Sequence, residues 1–80
     1  MGTQATVLYF AALRDAVGAA CEQVDAEGDL GALYDRLGAR HGFGWPRTQL
    51  RVAVDGRFAR WDEAVRAGSE IAFLPPVSGG

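Results

Sequence analysis

One stretch carries the pattern of a long amphipathic helix. Asp29 suits an N-cap, and Leu30, Leu33, Tyr34 and Leu37 come after it at the spacing of one helical face. Asp35, Arg36 and Arg40 fall elsewhere and face water, and Gly42 is the stop. Gly31 and Gly38 inside it each cost roughly 1 kcal/mol against Ala. A chain of 80 residues has room for one domain. One main helix covers one face of a small sheet and leaves the other partly bare.

The strands are read from β-branched and aromatic runs. Ala5 to Phe10 reads as the first, with Val7 and Tyr9 on one face and Leu8 and Phe10 on the other. Ala11 to Val17 is a short helix stopped by Gly18, and Cys21 to Val24 is a weaker second strand. Gly42 to Gln49 is a loop in which Trp45 partly lids the core. Leu50 to Val54 and Arg57 to Arg60 form a hairpin about the tight turn Asp55-Gly56. Trp61 to Ala67 is a short helical or irregular crossover. Gly68-Ser69 turns the chain into a last strand, Glu70 to Leu74, with Ile71 and Phe73 facing one way and Ala72 and Leu74 the other. The fold expected is α+β: Val7, Tyr9, Val52, Val54, Ile71 and Phe73 pack under the helix. Leu8, Phe10 and Leu74, joined by Phe58 from the hairpin, then form an apolar patch. On so small a domain such a patch suggests a partner; the alternative is individually ordinary surface residues.

After Leu74 the sequence reads Pro75, Pro76, Val77, Ser78, Gly79, Gly80. The prolines lack N–H groups and fix φ, so they stop sheet pairing and hold the exit stiff. Gly-Gly has no Cβ to obstruct a narrow passage. Six extended residues reach on the order of 20 Å. The division expected is a body over 1–74 and an extended tail over 75–80, presenting a slim carboxylate at Gly80.

Other classes of chemistry are excluded. The net charge of −2 gives no basic footprint for nucleic acid. No apolar run spans a membrane and no secretory pattern is present. Met1 to Thr6 matches the myristoylation pattern but lacks a polybasic or second acylation signal, and we reject it. The single cysteine, Cys21, permits no internal disulfide or CxxC pair; a cytoplasmic setting and a buried, small apolar role are expected for it. All eight basic residues are Arg. Without Lys there is neither a Walker-type phosphate loop nor a Schiff base. The Gly-x-Gly at Gly42–Gly44 lacks the third glycine of a nucleotide fingerprint. His41, near the helix end, suits a capping or surface role.

The strand V-L-Y-F-A, the L-R-D after it, the V-D-G hairpin and the ending I-A-F-L-P-P-V-S-G-G together resemble the MoaD/ThiS family of sulfur carriers, of the type of the small subunit of molybdopterin synthase. The resemblance covers nearly the whole chain. It implies a ubiquitin-like β-grasp. It implies that an E1-like activating enzyme, using ATP and Mg, adenylates the Gly80 carboxylate, and that a sulfur donor of desulfurase or rhodanese type converts the adenylate to a thiocarboxylate. The charged tail would enter the large subunit of molybdopterin synthase, within a heterotetramer, and give sulfur to cyclic pyranopterin monophosphate. The carrier itself holds no metal or cofactor and supplies no catalytic group beyond Gly79 and Gly80. The family's docking hydrophobes fall on Phe10, Phe58 and Leu74, and its Arg after the first strand falls on Arg14, which could pair with an acid on the activating enzyme or be a solvated helix residue. Pro75, Pro76, Val77 and Ser78 form the stalk. Leu74 stands where Phe is common, and Asp55 where Asn or similar may stand. The same fold serves carriers for thiamine thiazole or cysteine synthesis. A ubiquitin-like modifier and a plain binding module with an inert tail are further readings.

Overall fold

The computed structural model describes residues 3–75. The elements are β1 (Gln4–Tyr9), α1 (Ala11–Val17), β2 (Cys21–Asp25), α2 (Leu30–His41), β3 (Arg51–Val54), β4 (Arg57–Ala59) and β5 (Glu70–Leu74), with a 3-10 turn at Arg47–Gln49. They form one mixed sheet in the order β2-β1-β5-β3-β4. β1 and β5, from opposite ends of the described chain, run parallel at its centre, and the other neighbours are antiparallel.

The helix is held from both ends. Asp29 caps α2, its carboxylate accepting from Ala32 N at 2.7 Å. The crossover over 61–67 contains no helix; its backbone instead serves α2. Leu30 N–H donates to Glu63 O at 2.9 Å and Gly31 N–H to Trp61 O at 2.8 Å, so the orphan donors of the first turn are satisfied. Gly31 also has a steric reason: a Cβ there would run into the Arg47 guanidinium and approach the Trp61 carbonyl to 3.4 Å. Gly42, with φ of +72°, ends the helix, its N–H donating to Gly38 O.

The Asp55-Gly56 turn has positive φ at both positions, the geometry of a two-residue type I′ hairpin. It is also fastened to β5: Glu70 N–H donates to the Asp55 carboxylate at 2.9 Å, and Asp55 N–H to Glu70 O at 2.8 Å. β1 starts one residue earlier than its apolar run and stops at Tyr9. Phe10 leaves the sheet as the N-cap of α1, because the chain reverses through Ala11 at φ +51°.

α2 lies over one face of the sheet. Leu30, Leu33, Tyr34 and Leu37 are buried with Val7, Tyr9, Val52, Ile71 and Phe73, and Leu13 of α1 joins them. Val54 and Trp45 are half-buried against this core, as expected. Phe73 has no exposed surface; Tyr34 meets it edge-on at 5.2 Å and Trp61 stacks on it at 5.9 Å. Each such side chain contributes roughly 1.5–3 kcal/mol by leaving water. Among the described residues no helix is long and apolar enough to cross a membrane.

Candidate functional site

The uncovered face is laid out by strand register. Cross-strand partners share a face. Reading across the sheet, Cys21 pairs with Leu8, Leu8 with Ala72, Ala72 with Ala53, and Ala53 with Phe58. This row crosses all five strands, with two small residues at its centre between Leu8 and Phe58. One step toward the end of β5, Leu74 pairs with Arg51. Phe10 lies one residue beyond the Tyr9–Phe73 pair, so it comes alongside Leu74 on the neighbouring strand.

Phe58 is 68% exposed and Phe10 45%, the two large apolar side chains among the described residues left in water. Leu8, Ala53, Ala72 and Leu74 are half-buried. The structure therefore brings Phe10, Phe58 and Leu74 onto one face, around the point where the chain leaves the sheet at Pro75. A proline there has no N–H to continue either ladder. Arg14 is exposed on α1, four residues after Phe10, with no ion pair among the described residues. Pro76, Val77, Ser78, Gly79 and Gly80 lie outside the described residues.

Sequence reasoning missed three features. Arg51 also belongs to this face, its guanidinium carbon 5.4 Å from the centroid of the Phe58 ring, a cation–π contact. Cys21 is exposed rather than buried. Val24 faces the core, so alternation puts Cys21, three residues away, on the opposite side. The third is a polar cluster at the other side of the sheet. Glu22 accepts from Tyr9 Oη at 2.7 Å and from Arg40 at 2.8 Å, and meets His41 Nε2 at 2.9 Å. His41 is thus tied to β2. Burial alone would raise the Glu22 carboxyl, but the Tyr9 hydroxyl, His41 and Arg40 outweigh it and hold it below its ordinary value of 4.5. Burial, with Glu22 beside it, pushes the Tyr9 phenol well above the usual tyrosine range. The cluster joins β1, β2 and the end of α2.

A five-stranded mixed sheet, with parallel terminal strands at its centre and one long helix across one face, defines a ubiquitin-like β-grasp protein. Residues 7–80 match the ThiS family, and the chain belongs to that family of sulfur carriers. It is 35% identical to the molybdopterin synthase sulfur carrier subunit of Haemophilus influenzae, covering 92% of this chain and 96% of that protein. It is also 35% identical to the small archaeal modifier protein 1 of Haloferax volcanii, covering 89% of this chain and 94% of that one. The crystal structure of that modifier superposes with a TM-score of 0.76 at 31% identity, over 96% of this chain and 99% of its own.

Proposed function

We propose that this chain carries sulfur on its Gly80 carboxylate for molybdopterin synthesis. The observation that carries the reading is the apolar open face gathered around the end of β5, with Phe10 and Phe58 exposed on either side of Leu74. A sheet face of that kind docks a partner at the place from which the tail departs. Membership of the ThiS family and likeness to carrier subunits of molybdopterin synthase support the same reading.

The chemistry asks little of the carrier. An E1-like enzyme, with ATP and Mg, joins the carboxylate to AMP and releases pyrophosphate. A donor then supplies sulfur at the hydrosulfide level, which displaces AMP and leaves a thiocarboxylate. The thioacid is ionised at neutral pH and nucleophilic. The large subunit of molybdopterin synthase, in a heterotetramer with this chain, binds the tail and presents cyclic pyranopterin monophosphate to it. This chain contributes reach through Pro75 to Ser78, a slim Gly79-Gly80 end, and docking through Phe10, Phe58 and Leu74, with Arg14 beside them.

Intact mass spectrometry after incubation with the activating enzyme, ATP, Mg and a sulfur donor tests this. One oxygen is replaced by sulfur, and the replacement disappears when Gly80 is deleted. An unchanged mass in the intact chain would sink the reading. A second reading has its own support, the equal identity to a small archaeal modifier protein. It expects covalent adducts to other proteins through Gly80, visible as high-mass species in the same spectra.

A further inference from the structure

Arg51 sits where an apolar docking face would not be expected to spend a charge. It is the cross-strand partner of Leu74 and shares the open face with Ala53 and Phe58. Its guanidinium lies over the Phe58 ring at 5.4 Å and has no carboxylate partner among the described residues. Arg36, Arg40, Arg47 and Arg60 each approach an acid at 4.0 Å or less, whereas Arg14, Arg57 and Arg66 share with Arg51 the lack of one; of these four, Arg51 alone among the described residues lies over an aromatic ring. The face is polarised along the strands. At the end where β5 leaves the sheet stand Arg51 and, on α1, Arg14, with Asp15 beside Arg14 in sequence. At the opposite end Glu70 pairs with Thr6, and Gln23 bonds the Thr6 hydroxyl.

A guanidinium resting on an aromatic ring keeps its donor edge free and loses less freedom when it is bound. Docking against Phe58 would remove water from both groups, and an unpaired charge would then be costly. We propose that Arg51 is a specificity-determining residue, its guanidinium on the Phe58 ring receiving a carboxylate from an acidic rim around the apolar surface of the protein that accepts the tail. The inference rests on the carrier reading and deepens it: the partner is apolar at its centre and acidic where it meets the end of β3. Charge of this kind fixes orientation and excludes wrong partners more than it adds raw affinity.

The test measures binding of the full chain to the molybdopterin synthase large subunit of the same organism, across a salt series. Arg51→Glu weakens binding roughly tenfold or more at low salt, and Arg51→Gln flattens the salt dependence. Arg51→Lys, which keeps the charge but loses the fork, recovers part of the affinity. Arg66→Glu makes the same change in net charge from the crossover and leaves affinity within about twofold of the parent chain. Thermal unfolding of each variant verifies the fold. If Arg51→Glu binds like the parent, or Arg66→Glu weakens binding equally, the inference is overturned while the carrier reading stands. If the parent chain itself fails to bind the large subunit, the carrier reading falls and the inference with it.

Discussion

At the scale of single residues, the densest polar chemistry lies away from the open face. Glu22 gathers a phenol, an imidazole and a guanidinium from β1 and the end of α2. Its folded carboxyl lies below its ordinary 4.5, so the ionised form stabilises the fold above that pH, and the contribution is lost as pH falls through the folded value. Glu22→Gln keeps the shape and one acceptor but removes the charge. It should cost on the order of 1 kcal/mol at neutral pH. Urea unfolding of both chains across a pH series checks this: the gap between them closes in acid. A gap independent of pH would mean the charge plays no part. None of this was legible in the sequence, because the partners of Glu22 lie 13, 18 and 19 residues away. Leu8 and Phe10, and separately Leu74, could by contrast be placed by counting alternate residues along the first and the last strand. Arg51 needed the register of a second strand, and the exposure of Cys21 needed the phase of the weakly marked β2.

At the scale of elements, the local signals were strong where the physics is local. The leucine stripe, the Asp29 cap and the Gly42 stop are all properties of one segment, and α2 has the bounds they set. The Asp55-Gly56 turn likewise carries its own conformational demand. The crossover over 61–67 was ambiguous because its backbone bonds are divided between short local turns, such as Glu63 N–H to Arg60 O, and distant partners at Gly28, Leu30 and Gly31. The two helix glycines, alike by propensity, separate on contact. Gly31 faces Arg47 and a carbonyl, whereas a Cβ at Gly38 would meet only Phe43, at 3.7 Å. Gly38→Ala should therefore stabilise by about 0.5–1 kcal/mol. Asp29→Ala removes the bond to Ala32 N and should destabilise by about 1 kcal/mol. Thermal melts of the two variants move in opposite directions; a shift of Gly38→Ala downward would show that the end of α2 has no room.

At the scale of the whole molecule, the fold divides its labour by face. α2 and the inner residues of the sheet form the core, and the outer residues form a surface that the core does not need. The buried apolar residues of the described chain run from Ala5 to Phe73, and β5 ends at Leu74. The body should thus be indifferent to the loss of residues 76–80. A chain ending at Pro75 should melt within roughly 2–4 °C of the full chain, the span of a surface change in a domain this size. Phe58→Asp, at a side chain 68% exposed, should leave the melt similarly unmoved. Their functional losses differ. On the proposed carrier reading, the truncated chain should accept no sulfur, since Gly80 is gone, whereas Phe58→Asp keeps that carboxylate and should lose affinity for the large subunit. A much lower melting point in the truncated chain would show that residues 76–80 pack on the body, and the separation of a passive scaffold from a reactive arm would fail.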